Sequence, residues 1–485
     1  MSDEKLSRRE FLRLSAVTAA GLTLFGCAPA ASPTPAQQAA AATATTAPEA
    51  TATMAAATAT MAPEATATTA AAGGGGEVTL SFWNMPFVTQ EVSPQYVTQW
   101  EEAVAKALPN IKVDNFFGPG DYGPLRQKFL LQAKSGTPDV IEGLLEDTAV
   151  YVKNGLIDDL DTQFNAWSDK DQFVPATVDP LRINGKLYGI PYNTNARALI
   201  YRKDILEKYN LAVPTTWTEM IDTARKITQA TNKEMFGFFA CTLVGDPRAP
   251  QEFISWYYQV SNGKHMFDTS GASPQLLATT DDFEKILTLY NDMFTGDYPA
   301  VDPNQKGTGW PVEDPGYANG KWAMCPMGPW LWGRRTESPT AKDILVNQTE
   351  IVELPIPEGG GHYTYLEVKP IMLNHYSEHP ADAWELIKFI CSKEEMGLWL
   401  ASSGGVPARK DALTIPEFQG EISHWIQGFA KLLDQGVALV PVNWGPVNEA
   451  NLQAVNYVIY NQKSPKEAAQ WLYDQIGQFE TNKTL

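Results

Sequence analysis

Two hydrophobic rhythms take turns along the chain from Glu77 to Leu485. Val78, Leu80 and Phe82 alternate with smaller or polar neighbours and predict a strand that ends at Trp83-Asn84, and Ile111-Lys112-Val113 predicts a second. Between them, Tyr96 to Leu108 has helical spacing. Thr216-Trp217-Thr218-Glu219 predicts a capping box, in which the Thr216 hydroxyl accepts from the third amide of the helix and Glu219 reaches back; Met220, Ala224 and Ile227 then share one face. Ser464-Pro465-Lys466-Glu467 repeats the device with proline at the first helical position, ahead of Ala468, Leu472 and Ile476. Ala383, Ile387 and Ile390 line another helix, and one opening at Ser392 stops at Gly404-Gly405. Helices interleaved with short strands predict an α/β protein with mainly parallel sheets. Roughly 400 residues exceed what a single core usually serves, so two lobes are expected.

The pattern before Glu77 is of another kind. Ser7-Arg8-Arg9-Glu10-Phe11-Leu12-Arg13 precedes a short apolar stretch, Ala16 to Phe25, that is too short and too weakly apolar to span a bilayer. Paired arginines ahead of such a core have the look of a twin-arginine export signal, and Leu24-Phe25-Gly26-Cys27 resembles the lipobox of bacterial lipoproteins, which implies acylation of Cys27. Phe25 replaces the small residue usual there, and a plain secretory signal is the alternative. Residues 28–76 are almost entirely Ala, Thr and Pro before a closing run of glycines, and Ala47 to Thr53 recurs at Ala62 to Thr68. With neither aromatics nor a hydrophobic period this segment cannot repay its ordering entropy, and reads as a disordered linker between signal and globule.

Composition narrows the partners. A net charge of -19 argues against nucleic acid or an anionic membrane surface, since both need a basic face. Beyond Cys27, the cysteines Cys241, Cys325 and Cys391 have no paired spacing and read as buried thiols, one disulfide among them being the alternative. His375 and His379 lack a third ligand, the glycine runs lack a P-loop lysine, and no Gly-x-Ser-x-Gly elbow occurs; no metal, cofactor or catalytic nucleophile is expected.

The most specific stretch is Gly185-Lys186-Leu187-Tyr188-Gly189-Ile190-Pro191-Tyr192, followed by Ala198-Leu199-Ile200-Tyr201-Arg202-Lys203-Asp204 and Pro214-Thr215-Thr216-Trp217. With Phe82-Trp83, Ser135-Gly136-Thr137-Pro138-Asp139-Val140, Asn319-Gly320-Lys321-Trp322-Ala323-Met324, Ala383-Trp384 and Gly404-Gly405-Val406-Pro407-Ala408, it resembles the extracellular solute-binding proteins of ATP-binding-cassette importers, of the sugar-binding type related to maltose-binding protein. The resemblance covers nearly all of Glu77 to Leu485. It implies a two-lobed periplasmic-binding-protein fold with hinge crossings and an interlobe ligand cleft. The N-terminal lobe would hold residues 77–192 and 366–410, and the C-terminal lobe 193–365 and 411–485. It also implies a monomeric receptor that closes on its solute and delivers it to permease subunits, which the lipid anchor read independently at Cys27 suits by holding the chain, through that anchor alone, at the outer face of the cytoplasmic membrane.

The chemistry of a sugar, with apolar C–H faces and hydroxyl rims, asks for flat aromatic platforms and planar hydrogen-bonding groups. Trp83 and Asn84 end the first strand, where an open α/β sheet places its crevice. Glu146-Asp147 follows the strand led by Asp139, and Tyr192-Asn193 sits at the first crossing; Trp256, Trp330, Trp332 and Trp444 supply further rings. Each has a plainer reading: a tryptophan is more often core than platform, and an acidic pair at a helix start is favoured by the dipole. Arg197, near the hinge, suits a hydroxyl, an anion or an interlobe salt bridge. The rival from another class is a secreted glycoside hydrolase using Glu146 with Glu367 or Glu449, although no acid pair stands out by motif. A receptor of the same fold for a polyamine or a peptide is the third reading; rings outnumber basic groups among the candidates, which disfavours an anion.

Overall fold

The structure is a computed structural model and describes residues 76–84, 93–117, 122–271 and 273–481. The export signal with Cys27, and the linker up to residue 75, lie outside the described residues. Ten strands build two sheets: β1 (Val78–Asn84), β2 (Ile111–Phe117), β3 (Val140–Glu142), β4 (Ile190–Ala196), β5 (Ala198–Arg202), β6 (Met324–Met327), β7 (Thr349–Val352), β8 (Thr364–Leu373), β9 (Val406–Pro407) and β10 (Gly436–Val437). The larger sheet runs β9-β4-β8-β3-β1-β2, with β10 beside β8; the smaller runs β6-β5-β7. Two short two-stranded hairpins stand apart from both.

The expectation of mainly parallel sheets holds only at one edge and in the short pairing of β8 with β10. β1 is parallel to β2 and β3, with Val78 opposite Ile111, whereas β8 runs antiparallel to β3 and β4, and the smaller sheet is antiparallel throughout. The reason is the chain path. β4 leaves the larger sheet at Ala196 and, one residue later, β5 opens the smaller; β8 then comes back beside β4. A strand that leaves and a strand that returns must run in opposite senses.

The helices that matter for the site are α1 (Ser93–Ala107), α2 (Tyr122–Gln132), α3 (Leu145–Lys153), α4 (Trp217–Ala230), α5 (Ala249–Val260), α6 (Pro380–Ile390), α7 (Lys393–Ser403), α8 (Glu421–Ala430), α9 (Trp444–Ile459) and α10 (Pro465–Thr481). The Thr216 box caps α4: Thr216 Oγ1 accepts from the Glu219 amide at 3.2 Å and Glu219 Oε2 accepts from the Thr216 amide at 3.2 Å. Ser464 and Glu467 do the same for α10. α7 ends on Gly404, whose φ of 83° is the left-handed conformation glycine tolerates best. Ala383, Ile387 and Ile390 are buried on α6, and Cys241, Cys325 and Cys391 are all free and buried. Among the described residues no helix is long and apolar enough to cross a membrane.

Candidate functional site

The return strand β8 is apolar except where it matters. Tyr365, Glu367 and Lys369 lie two apart, so the pleat turns all three to one face, and a register irregularity between Lys369 and Pro370 breaks the ladder just beyond them. Glu367 is buried; its carboxylate accepts from Asn195 Nδ2 at 2.7 Å and from Gln251 Nε2 at 3.1 Å, and it forms an ion pair with Lys369 Nζ at 3.5 Å. Burial alone would raise its pKa, but the charges of Lys369 and Arg197 and the two amide hydrogen bonds outweigh that and hold it at about 2.

Gln251 reaches this carboxylate from α5 and also donates to Glu146 Oε1 at 3.4 Å. Glu146 stands in the first turn of α3, and its other oxygen accepts from the Tyr365 hydroxyl at 3.1 Å. Burial, reinforced by the charges of Asp147 and Glu367, pushes Glu146 up to about 7. Asp147 is pushed to about 6 by burial, against the pull of Arg126, whose Nη1 lies 2.9 Å from Asp147 Oδ1. One amide thus joins α3, α5 and β8, and the two carboxyls it touches are shifted in opposite directions from the usual glutamate range.

Arg197, the single residue between β4 and β5, is 1% exposed. Its guanidinium carbon lies 4.3 Å from the centroid of the Trp330 ring, while Arg248 lies 4.4 Å and Lys369 Nζ 5.9 Å from the same centroid. Trp330, on the 3₁₀ segment Pro329–Thr336, is therefore a ring stacked on cations here. Arg248 is also paired with Asp314 and Lys369 with Glu367.

The remaining candidates take three kinds of place. Trp83 packs with Leu125, Phe129 and Met372 while Lys128 Nζ sits 4.0 Å over its ring, and Asn84 Oδ1 beside it is buried without a hydrogen-bond partner. Tyr192 and Asn193 lie on β4 inside the larger sheet, Asn193 opposite Pro407 of β9 with its Oδ1 unpartnered. Trp332, Trp256 and Trp444 are not brought to the charged network: Trp332 packs against Trp425 at 5.7 Å, Trp256 is fully buried edge-on to Trp217, and Trp444 is edge-on to Phe267 with its Nε1 donating to the Val440 carbonyl. Burial of a large apolar ring outweighs display of it at those positions. Gln251, Asn195, Tyr365 and Lys369 are not among the residues singled out from sequence, and Glu367 enters there as half of an arbitrary acid pair and as a departure from the small residue the resembled family has near the return crossing. A signal was present: Gln251 and Glu252 interrupt a helix whose every turn is buried, and Glu367 and Lys369 interrupt a buried strand.

Two separate sheets joined by an outgoing and a returning stretch of chain, with a buried polar network beside that passage, make a two-lobed fold. Maltose-bound MalE3 of T. maritima superposes with a TM-score of 0.71 at 20% identity, covering 83% of this chain and 99% of that one. A solute-binding protein of Agrobacterium radiobacter in complex with ribitol gives 0.68 at 22% identity, covering 83% and 98%. In sequence, the arabinooligosaccharide-binding protein of Bacillus subtilis is 25% identical over 335 residues, 67% of this chain and 71% of its own length. The chain belongs to the bacterial extracellular solute-binding protein family, whose profile matches residues 93–397.

Proposed function

We propose that this chain captures a mono- or oligosaccharide between its two lobes and hands it, unaltered, to the permease of an ATP-binding-cassette importer, from the outer face of the cytoplasmic membrane, where acylated Cys27 tethers it. The observation that carries the reading is Gln251, whose amide links Glu146 on α3 to Glu367 on β8 from the other side of the passage. Groups that meet there from separate elements are the ones a solute would engage on closure. The maltose, ribitol and arabinooligosaccharide ligands of the relatives all present hydroxyl rims, which supports a polyhydroxylated ligand. With the crossings taken near Tyr192 to Asn195, within 363–373 and after Pro407, the lobes comprise 77–192 with 366–410 and 193–365 with 411–485. A few charge-assisted hydrogen bonds at about 1.5 to 3 kcal/mol each offset closure and leave an affinity on the order of micromolar.

One observation favours a hydrolase instead: Glu146 near 7 and Glu367 near 2 are the split pair a retaining glycosidase needs. Against it, the Gln251 amide occupies the space between the two carboxyls, where the scissile bond would have to lie. The test is a thermal-shift panel of saccharides, polyamines and peptides, with a reducing-end assay on every saccharide hit. A raised melting temperature with intact saccharide is expected. New reducing ends would establish the hydrolase, and hits confined to polyamines or peptides would replace the cargo.

A further inference from the structure

We propose that the saccharide taken by this cleft carries a carboxylate, as a uronic acid does, and that the Arg197 guanidinium is the group that reads it. This deepens the receptor reading and rests on it. Three cations gather on the Trp330 ring, but only two have a carboxylate in contact: Arg248 pairs with Asp314 and Lys369 with Glu367, while Arg197 makes no ion pair among the described residues. Its Nη1 and Nη2 are buried without hydrogen-bond partners, and so is Trp330 Nε1. A desolvated guanidinium with idle donors is a costly arrangement unless something accepts from it.

The idle groups are sorted by type. Arg197 and the indole offer donors only, and their complement is a group that only accepts, which a carboxylate is and a hydroxyl is not. Nearby, Gln251 Oε1 and Asn195 Oδ1 are buried acceptors without partners, which suit the hydroxyls of the same sugar. Arg197's position is fixed in advance: its backbone amide donates to the Tyr365 carbonyl, its carbonyl accepts from Thr364 Oγ1, and its guanidinium lies on the indole. Charge balance agrees. Glu252, which feels the Arg197 charge, is pushed well above its usual range by burial and by Glu313, so it is held toward its neutral form. Glu367 is left to balance both Lys369 and Arg197. Arg197 therefore has no carboxylate of its own among the described residues, and an acidic ligand group would supply one.

The experiment is calorimetric titration of the full chain at neutral pH with disaccharides of galacturonate, glucuronate and mannuronate, each beside its neutral hexose counterpart of the same linkage. At least one acidic member should bind about tenfold or more tighter than its neutral partner, with a preference that shrinks as salt is raised. Arg197→Lys keeps the charge but loses the fork, and should bring the ratio of acidic to neutral affinity down to near one. Equal binding of acidic and neutral partners by the parent chain overturns the proposal alone, whether or not the variant folds. Equal weakening of both partners in Arg197→Lys overturns the role of Arg197. Failure of every saccharide, acidic or neutral, overturns the receptor reading together with it.

Discussion

Glu146 and Glu367 touch the same amide nitrogen, yet their surroundings drive them apart by opposite means. Glu146 has lost water and gained carboxylate neighbours; Glu367 has lost water and gained Lys369 and Arg197. For Glu146 the folded pKa lies above the unfolded one, 4.5 rising to about 7, so its penalty is absent at low pH, grows as pH rises through that window, and is complete above it. Glu367 behaves conversely, its contribution being present above its unfolded pKa and lost as pH falls toward 2. Glu146→Gln keeps the shape and the Tyr365 contact while removing the charge. Relative to the parent it should gain up to about 3 kcal/mol between pH 5 and pH 8, read by urea denaturation at the two values. Parallel pH profiles for the two chains would mean that Glu146 does not titrate in that range. None of this was visible in the sequence, because a glutamate's protonation depends on neighbours brought in from 219 positions away, as Tyr365 is. The tryptophans show the same limit: Trp330 and Trp332 share one Gly- and Pro-broken loop and each has a guanidinium over its ring, yet only Trp330 meets Arg197 and Lys369 of the buried network, while Trp332 packs against Trp425.

At the scale of elements the sequence was far more legible, because caps are local. Thr216 with Glu219 and Ser464 with Glu467 satisfy helix-end amides using residues three apart, and no distant contact is needed to read them. Strand direction is the opposite case: it is set by which distant strand lies alongside, and β8 lies antiparallel to β4 because the chain must come back. The two kinds of helix end also differ in what they support. Thr216→Ala removes a local cap and should cost about 1 kcal/mol. Gly404→Ala asks for more: a Cβ there would lie 2.5 Å from the Pro329 carbonyl and 2.5 Å from Trp332 Cβ, at a left-handed φ. The added methyl presses on the segment that carries Trp330, so Gly404→Ala should cost at least about twice as much as Thr216→Ala and also weaken saccharide binding. Equal urea midpoints for the two variants, or unchanged binding in Gly404→Ala, would show that this segment yields freely.

For the whole molecule the decisive quantity is how firmly the lobes hold together without solute. The Gln251 amide is the polar link from α5 to both α3 and β8, and it bonds to carboxyl groups in a buried setting, where each contact contributes about 1.5 to 3 kcal/mol. Ligand can close the lobes only by binding the closed form better than the open one, so whatever already favours closure without ligand lowers the work the ligand must do. Gln251→Ala removes one of these links, the Tyr365–Glu146 and Asn195–Glu367 bonds remaining, and leaves both carboxyls without their shared donor, which adds repulsion between them as Glu146 ionises. The variant should therefore be more open than the parent when empty, with a larger radius of gyration by small-angle scattering. At saturating saccharide the two should converge, and the apparent affinity should fall by about tenfold. The gap between the empty forms should also widen from pH 5 to pH 8, following Glu146. If the empty radii are equal at both pH values, the link through Gln251 does not control closure, and the energy that brings the lobes together lies in the apolar contacts flanking the passage.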